Sequence, residues 1–212
     1  MNAEYIDHMG SDLTIVNAAR VSFNKHSDEF RDSDTKLIGF LARNGHFTPF
    51  THAMITIREE VPIFVARQRF KHTIGFSYNE VSRRYVSDDP TFFQPQVWRL
   101  AADNVKQGSS TDELFDDGRT TGEVNEHNAN SMALYKQMLE DGICAEQARM
   151  VLPQSMYTSY YVTGSLAAWA RAYNLRSEKT AQAEIQELAR IWDSVIRPLF
   201  PVSWPTLTEG GE

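Results

Sequence analysis

The sequence predicts a single α+β domain, and three observations lead to this class. Helix-like and strand-like segments are intermixed along the 212 residues, without the regular alternation that builds a doubly wound parallel sheet. Hydrophobic residues make up 42% and charged residues 23% of the chain, which is typical of a soluble globular protein. No internal repeat is present, and a chain of this length can bury one adequate core. The length is compatible with one large domain or two small ones, and we expect residues 1–212 to form a single domain.

The N-terminal part of the chain predicts two helices separated by a loop. Asp12 is a candidate N-cap for a first helix that runs toward Val21. Residues 23–34 are polar and charged, which favours a loop. Asp34 is placed to open a second helix, and Gly45 to end it, because glycine adopts the left-handed conformation of a C-cap without strain.

The middle of the chain predicts a strand, a helix and two irregular segments. Residues 54–61 alternate and are rich in β-branched side chains, which indicates a strand. Pro62 suits the first turn of a helix over residues 63–72. Residues 87–95 contain two aspartates and two prolines and predict a loop. Residues 107–126 are rich in Gly, Ser, Thr, Asp and Glu, and we expect a flexible surface excursion there; a simple connector is the alternative.

The C-terminal half predicts four helices and one strand. Helices are expected over residues 129–140 and 145–152, a strand over residues 157–163 and a helix over residues 166–173. Thr180 is a candidate cap for the last long helix, whose apolar residues recur at steps of three and four. That spacing indicates packing against a core or another subunit: Ile185, Leu188, Trp192, Val195 and Leu199.

Composition excludes several classes of protein. The net charge of −7 argues against general nucleic-acid binding and against a role at a membrane surface. No apolar run approaches the roughly 20 residues that a membrane span needs, and the N-terminus does not have the pattern of a secretory signal. Cys144 is the single cysteine, so no intrachain disulfide is expected and a reducing compartment is favoured. We expect a cytoplasmic protein.

Residues 67–85 form a basic island in this acidic chain. The island holds a single acid, Glu80, against five cations: Arg67, Arg69, Lys71, Arg83 and Arg84. Guanidinium groups and hydroxyls together suit the phosphate of a small molecule. If the chain is extended there, Glu80, Ser82 and Arg84 share one side of it. A solvated surface held together by salt bridges is an equally weighted alternative.

Metal binding and cysteine catalysis are not predicted. His46 and His52 lie six residues apart without a third ligand at a suitable spacing, and zinc sites need three or four ligands. Cys144 follows Gly142 and Ile143 at a helix start, but a lone cysteine is usually a small buried apolar residue. The sequence also contains no nucleophile elbow, phosphate-binding P-loop or dinucleotide fingerprint.

Six sequence blocks, in their order along the chain, carry a family resemblance that spans most of its length. They are Asn17-Ala-Ala-Arg-Val-Ser-Phe23, His46-Phe-Thr-Pro-Phe50, Pro62-Ile-Phe-Val-Ala-Arg-Gln68, Asn79-Glu-Val-Ser-Arg-Arg-Tyr85, Ala148-Arg-Met-Val-Leu-Pro153 and Asn174-Leu-Arg176. Together they resemble the flavin-dependent thymidylate synthases. The resemblance implies an α+β fold with a central, mostly antiparallel sheet flanked by helices. It also implies a homotetramer with sites at subunit junctions.

The resemblance further implies a reaction. Such enzymes methylate deoxyuridylate (dUMP) to thymidylate (dTMP). Methylenetetrahydrofolate supplies the carbon, and FAD reduced by NADPH supplies the hydride. The partners are therefore small molecules, and no enzymic cysteine nucleophile is needed. The protein is then expected to position the reactants and stabilise charge, while the flavin supplies the redox chemistry.

The resemblance assigns site residues by position. Six match residues that bind dUMP: Gln68, Glu80, Ser82, Arg84, Arg149 and Arg176. Arg176 matches the arginine that contacts the uracil, where a cation stabilises negative charge that develops on the ring, and it is the expected catalytic residue. Ten match residues at the flavin: Ser22, His46, Thr48, Lys71, His72, Thr73, Glu80, Ser165, Arg171 and Thr180. The family contacts FAD from another subunit at the last three positions.

The chain departs from the family pattern near the flavin positions. The triplet Lys71-His72-Thr73 stands where the family has Arg-His-Arg, and eight residues rather than seven separate it from Ser82. Lysine loses the bidentate fork of arginine, and threonine loses the charge. Thr180 replaces a usual histidine, and Arg171 stands where asparagine is common. Either Arg69 or Arg171 is expected to compensate for the lost charge.

Two alternative hypotheses are compatible with the sequence. A nucleotide- or RNA-binding module would use the basic island for phosphates and stack bases on Phe70, Phe76, Tyr78 and Tyr85. The acidic net charge speaks against it. The second rival is an inactive relative that keeps the fold without the activity. Bound FAD, and NADPH oxidation in the presence of dUMP, would distinguish the enzyme from both.

Overall fold

A four-stranded antiparallel sheet lies at the centre of the protein. The computed structural model describes residues 1–86, 88–103, 110 and 112–209. Within these residues the strands are β1 Asn2–Met9, β2 Met54–Pro62, β3 Phe76–Glu80, β4 Trp98–Arg99, β5 Glu113–Leu114 and β6 Tyr157–Ser165. The central sheet has the order β1-β2-β6-β3, and β4 pairs with β5 in a separate short ladder. The predicted α+β class and mostly antiparallel sheet are confirmed.

Helices pack against this sheet. They are α1 Asp12–Arg20, α2 Asp32–Arg43, α3 Ile63–Arg69, α4 Arg119–Glu140, α5 Ala145–Ala148, α6 Leu166–Arg176, α7 Ala183–Ile196 and α8 Ser203–Thr208. Short 3₁₀ turns cover Val21–Phe23, Thr48–Thr51 and Arg149–Val151. In the part of the chain that the structure describes, no helix has the length and apolar character to cross a membrane.

The helices cover one face of the sheet. Ile55 and Ile57 of β2 and Val162 of β6 point to that face and are fully buried. They contribute to the same core as Trp169 of α6 and Trp192 of α7, whose ring centroids lie 5.5 Å apart. Period-two alternation sends the neighbouring side chains to the opposite face, which helices of the same protomer leave largely exposed. That uncovered face positions part of the candidate site.

The edge strand β1 was not predicted. It pairs with β2 from Asn2–Glu60 to Met9–Met54, and the register shifts between Tyr5 and Asp7. Its buried hydrophobic side chain is Ala3, so the strand lacks the alternating apolar pattern by which β2 is recognised. Backbone pairing with β2, which depends on tertiary structure, therefore defines this strand.

Aspartates that marked predicted helix starts have other partners. Ser11, not Asp12, is the N-cap of α1, and the Asp12 carboxylate accepts hydrogen bonds from the backbone N–H groups of Val202 and Ser203 at 2.9 and 3.0 Å. Helix α2 begins two residues before Asp34. The buried Asp34 carboxylate accepts a hydrogen bond from the backbone N–H of the N-cap residue Arg31 at 2.9 Å and also receives the guanidinium of Arg20. Each of these two carboxylates thus binds a group from a different part of the chain.

Two other predicted helix boundaries are wrong. Helix α3 ends at Arg69 rather than near residue 72, because the Arg69 side chain turns into the core and the following residues form a tight turn. Helix α7 begins at Ala183, with Gln182 rather than Thr180 as its N-cap. Residues that were expected on helices therefore lie in connections beside the candidate site.

Helix α4 begins ten residues earlier than predicted and includes the end of the proposed excursion. Asp116 accepts hydrogen bonds from the backbone N–H groups of Thr120 and Thr121 at 3.0 Å, and from Thr121 Oγ1 at 2.7 Å. The Thr121 hydroxyl bond is the largest of the effects that lower the pKa of Asp116 to about 2. Of the remaining excursion, residues 107–109 and 111 lie outside the described residues, and its flexibility stays a prediction.

Candidate active site

Nine of the fifteen predicted site residues fall into three groups within one protomer. The first group lines a cleft on the uncovered face of the sheet, here called the sheet-face cleft, with Glu80, Ser82 and Arg149 in its wall. The second, the Arg176 cluster, is Gln68, His72 and Arg176. The third lines a pocket beside α1 and α2, here called the helical pocket, formed by Ser22, His46, Thr48 and their neighbours.

The sheet-face cleft has a volume of about 740 Å³ and is built at the end of β3. Glu80 ends that strand, and its Oε1 accepts a hydrogen bond from Thr158 Oγ1 at 2.7 Å. Val81 still pairs with Ser159, but a hydrogen bond of 2.9 Å from the Tyr85 N–H to the Ser82 carbonyl then closes a turn. The predicted extended stretch through Arg84 is therefore wrong beyond Val81.

The turn brings the Ser82 hydroxyl to Arg84. Ser82 Oγ accepts from the backbone N–H and Nε of Arg84 at 3.4 and 3.3 Å, and Arg84 Nη1 donates to Glu146 Oε1 at 3.1 Å. Arg84 also lies over the ring of Tyr85 at 5.0 Å. This ion pair is exposed, so water screens it and an anionic ligand can compete for the guanidinium.

Arg58 and Ser159 belong to the cleft but were missed in the sequence. They lie on the exposed face of β2 and β6, where Arg58 Nε donates to Ser159 Oγ at 3.1 Å. The alternation over residues 54–61 was the available signal, because it places Arg58 on the face opposite the buried isoleucines. Among the described lining residues, three arginines face five carboxylates, so one protomer alone does not make this cleft basic.

The Arg176 cluster lies where the C-terminal ends of α3 and α6 meet. Arg176 Nε donates to His72 Nε2 at 2.8 Å, and Arg176 Nη2 lies 3.5 Å from the carbonyl oxygen of Gln68. An imidazole nitrogen that accepts a hydrogen bond carries no proton, so His72 is neutral with its proton on Nδ1. Burial, followed by the charges of Arg176, Arg69 and Arg171, lowers the pKa of His72 to about 4. His72 is therefore a neutral support for Arg176.

Arg69 does not compensate for the missing charge of the Lys71-His72-Thr73 triplet. Its side chain is fully buried and pairs with the fully buried Glu59 at 3.1 Å. The guanidinium carbon lies 4.4 Å from the ring centroid of Phe76 and 4.7 Å from that of Trp192. A cation enclosed in this way has no access to a ligand, so the expectation that Arg69 compensates for the lost charge is wrong.

The turn that contains the triplet packs against α6. Lys71 and Thr73 are exposed on it, and Arg171 Nη2 donates to the carbonyl of Ile74 at 2.6 Å. Ser165 is buried, and its hydroxyl accepts a hydrogen bond from the Ala168 N–H at 3.2 Å as the N-cap of α6. Thr180 is exposed in the connection between α6 and α7. The structure thus joins the triplet to Ser165 and Arg171.

The helical pocket has a volume of about 650 Å³, and its lining is mostly apolar and includes three phenylalanines. Ser22 and Thr48 contribute hydroxyls from two 3₁₀ turns. His46 contacts Phe40 edge to face, with ring centroids 5.8 Å apart. Phe23 and Phe47 are 75% and 66% exposed at its rim, which leaves their ring surfaces available to a planar ligand. Among the described residues, no three His, Cys, Asp or Glu side chains are grouped to hold a metal ion.

The dUMP positions are divided between two groups. Gln68 and Arg176 belong to the Arg176 cluster and are not among the described residues that line the sheet-face cleft. Glu80, Ser82 and Arg149 line that cleft, and Arg84 is attached to it through Ser82. One protomer therefore presents two partial sets of candidate nucleotide ligands.

Comparison with known proteins identifies the family. A family model described as thymidylate synthase complementing protein matches residues 4–202. Flavin-dependent thymidylate synthases of Thermotoga neapolitana and Thermosipho africanus are 37% and 38% identical, over 93% and 87% of this chain and 86% and 80% of theirs. The Thermus thermophilus protein of the same name is 34% identical over 96% of this chain and 74% of its own.

Solved structures agree with this family. The UMP/dUMP methylase PolB from Streptomyces cacaoi, bound with 5-Br dUMP, superposes with a TM-score of 0.87 at 30% identity, over 98% of this chain and 94% of that chain. The same methylase bound with 5-Br UMP gives a TM-score of 0.88 at 28% identity. This chain belongs to the flavin-dependent thymidylate synthase family, and the resemblance predicted from six sequence blocks is confirmed.

Proposed function

We propose that this protein converts dUMP to dTMP by reductive methylation. Methylenetetrahydrofolate is the carbon donor, and FAD reduced by NADPH carries the hydride. The observation that carries the proposal is the family match over residues 4–202. Six of the site residues that match the family line the two open clefts: Glu80, Ser82, Arg149, Ser22, His46 and Thr48. No step requires a cysteine nucleophile.

The proposed nucleotide ligands combine both groups of dUMP positions. Arg84 and Arg149 supply guanidinium donors and Ser82 supplies a hydroxyl, a set suited to phosphate oxygens. Glu80, fixed by Thr158, is a hydrogen-bond acceptor for a sugar or base N–H or O–H group. From the other group, Gln68 and Arg176 face the nucleotide. Arg176 acts as the catalytic residue by stabilising negative charge on the uracil ring.

The residues present fit a flavin. Hydroxyls at Ser22 and Thr48 surround a mostly apolar pocket, His46 stands beside them, and the exposed Lys71 is a cation for the diphosphate. We assign the remaining flavin contacts to His72, Thr73, Glu80, Ser165, Arg171 and Thr180. Arg171 supplies the compensating charge in place of Arg69. When bound, FAD supplies hydride transfer; the protein orients it and excludes water.

We further propose a single-domain protomer that assembles as a homotetramer in the cytoplasm, with sites at subunit junctions. Two observations support this assembly. The sheet-face cleft opens on a face that the protomer's own helices leave uncovered. The candidate nucleotide ligands are also divided between that cleft and the Arg176 cluster, so a junction that joins the two groups would complete one site.

Cys144 lies outside this arrangement. It was expected to be buried, but it is exposed as the N-cap of the short helix α5. Its sulfur is at the surface because the turn at Gly142 presents the start of that helix to solvent. Cys144 is not among the described residues of any of the three groups, which agrees with chemistry that does not use a thiolate.

Purified protein tests the function directly. We expect flavin absorbance at a stoichiometry near one FAD per chain, NADPH oxidation that depends on dUMP, and dTMP formation only when methylenetetrahydrofolate is present. The Cys144→Ser variant is the matched control and should retain wild-type turnover. Protein that fails to bind added FAD, or a folded Cys144→Ser variant without activity, would contradict the proposal.

UMP serves as the second substrate in the same assay, because the structurally similar PolB is a UMP/dUMP methylase. Methylation of UMP at a rate equal to or above that of dUMP would identify a nucleotide methylase with relaxed sugar specificity. A strong preference for dUMP is the result that the proposed function requires.

A further inference from the structure

A chain of hydrogen bonds leads from β4 to the candidate nucleotide ligand Gln68. Arg99 Nη2 donates to Glu184 Oε1 and Oε2 at 2.8 and 3.0 Å. Gln182 Nε2 donates to Glu184 Oε2 at 2.8 Å, and Gln68 Nε2 donates to Gln182 Oε1. Gln182 is the N-cap of α7 and Glu184 lies in its first turn, so the start of one helix connects to the end of another.

The carboxylate of Glu184 determines which group donates and which accepts in each hydrogen bond of this series. Glu184 is 8% exposed, and burial alone would raise its pKa. Hydrogen bonds from Gln182 and Arg99 outweigh burial and lower the pKa of Glu184, so the group is ionised at neutral pH. An ionised carboxylate only accepts hydrogen bonds. Gln182 must therefore turn its amide nitrogen toward Glu184.

The same reasoning extends to Gln68. Because the amide nitrogen of Gln182 faces Glu184, its amide oxygen faces Gln68. Gln68 must therefore turn its own amide nitrogen toward Gln182. The orientation of the Gln68 amide therefore follows from the acceptor-only character of Glu184. The carbonyl oxygen of Gln68 and its second amide hydrogen remain for a ligand. A glutamine without such a partner can rotate its amide by 180° and exchange donor for acceptor.

We propose that Glu184 and Gln182 are positioning residues for the reaction: they hold the Gln68 amide in the single orientation that binds the nucleotide. This inference rests on the proposed function, because it takes dUMP as the ligand of Gln68. Neither residue needs to touch the nucleotide. Arg99 pairs with the buried Glu184 and favours its ionised form.

Glu184→Gln is the sharpest variant, because it keeps the shape but adds a donor. A glutamine at this position can donate a hydrogen bond to Gln182. The amides of Gln182 and Gln68 can then both rotate by 180°, so that donors and acceptors are exchanged along the series. If the Gln68 amide then populates both orientations equally, the apparent Kd for dUMP rises about two-fold. If the wrong orientation dominates, the affinity for dUMP falls by about tenfold, which corresponds to the loss of one hydrogen bond.

The experiment measures dUMP affinity by calorimetry together with KM and kcat on the FAD-loaded enzyme. Glu184→Gln should raise Kd and KM for dUMP by about two- to tenfold with a smaller effect on kcat. Glu184→Asp keeps an acceptor-only group and should therefore lose less dUMP affinity than Glu184→Gln. Glu140→Gln removes an exposed carboxylate at the end of α4 and should match wild type. Gln182→Met, which breaks the chain at its middle, should raise Kd in the same way and gives a second route if Glu184→Gln folds poorly.

A double-mutant cycle separates positioning from a general structural role. In a Gln68→Ala background, Glu184→Gln should cause no further loss of dUMP affinity, because the group that it orients is gone. An undiminished loss in that background, or a Glu184→Gln enzyme equal to Glu140→Gln, overturns the inference. Wild-type protein that binds no dUMP would overturn the proposed function instead, so the two failures are distinguishable.

Discussion

At the scale of single residues, His72 shows how a core charge shapes the candidate site. Burial disfavours a proton on His72 most strongly, and the charges of the adjacent Arg176 and the buried Arg69 disfavour it further. A neutral His72 can accept the hydrogen bond of 2.8 Å from Arg176 Nε, whereas a protonated ring has only donors and would repel the guanidinium. The position of Arg176 therefore depends on the protonation state of its neighbour.

This coupling predicts a pH dependence of stability. The pKa of His72 is about 4 in the folded protein, against 6.5 in an unfolded chain, so the unfolded state takes up the proton first as pH falls. The contribution of neutral His72 is complete above pH 6.5 and is lost as pH falls toward 4. By pH 5 we expect a loss of about 1 kcal/mol in the free energy of unfolding, after allowance for solvent screening.

Urea unfolding of the wild type and of His72→Gln at pH 7.5 and pH 5 measures this loss. Glutamine accepts the Arg176 hydrogen bond through its carbonyl oxygen but does not titrate. The wild type should lose more stability than the variant over this interval, while other titrating groups cancel in the comparison. Equal losses in the two proteins would show that His72 does not carry the effect.

Residue roles were predictable from sequence only where a side chain serves a ligand in a recognisable motif. The family pattern marked Ser82, Arg84 and Arg176 by their neighbours in the chain. Arg69 belongs to the same basic island, but its role depends on Glu59 and on rings from α6 and α7 that tertiary packing brings around it. The sequence did not single out Glu184, since its contact with Arg99 requires the folded arrangement of β4 and α7.

At the scale of elements, the turn between α3 and β3 holds the divergent triplet in place. Gly75 has a φ of 79°, a conformation that L side chains rarely adopt. A Cβ on Gly75 would lie 2.9 Å from Ala168 Cβ on α6, closer than carbon atoms normally approach. The Gly75 carbonyl also accepts the Ser165 N–H at 3.2 Å. The triplet is thus followed by a glycine turn that packs on α6.

Gly75→Ala tests this packing, and Gly142→Ala is its matched control. Gly142 also has a positive φ, 83°, but open space surrounds its Cβ position. We expect a loss of about 1 kcal/mol for Gly142→Ala from backbone strain, and about 2–3 kcal/mol for Gly75→Ala from strain plus the contact. Chemical unfolding gives both values. Equal losses would mean that the turn moves away from Ala168 without cost.

Elements with strong local patterns were predictable, and those defined by partners were not. Strand β2 and helices α6 and α7 follow the alternation and the three-four spacing of their apolar residues. Strand β1 and the first two turns of α4 carry no such pattern. Pairing with β2 defines strand β1. Hydrogen bonds from Thr120 and Thr121 to the Asp116 carboxylate stabilise the start of helix α4.

At the scale of the whole molecule, the division of the candidate nucleotide ligands has a consequence for assembly. Glu80, Ser82 and Arg149 open onto the uncovered sheet face, whereas Gln68 and Arg176 lie where α3 and α6 end. A homotetramer that apposes these surfaces would complete each site with residues from two subunits. Such shared sites allow one defective subunit to complement another, which isolated protomers cannot do.

Mixed tetramers of Arg176→Ala and Ser82→Ala provide the test. Arg176→Ala alone should be inactive. Ser82→Ala alone should bind dUMP more weakly by about 1–3 kcal/mol and should therefore be nearly inactive when dUMP is kept well below its raised KM. Coexpressed with different tags and purified as mixed tetramers, the two should regain about a quarter of wild-type activity, because random assembly gives one site in four both intact partners. The control mixes Arg176→Ala with Gln68→Ala, whose residues lie in one cluster of the same chain, and should show no recovery. Inactive Arg176→Ala/Ser82→Ala tetramers would place all of these ligands in one subunit, and the sheet face would then need another explanation for its exposure.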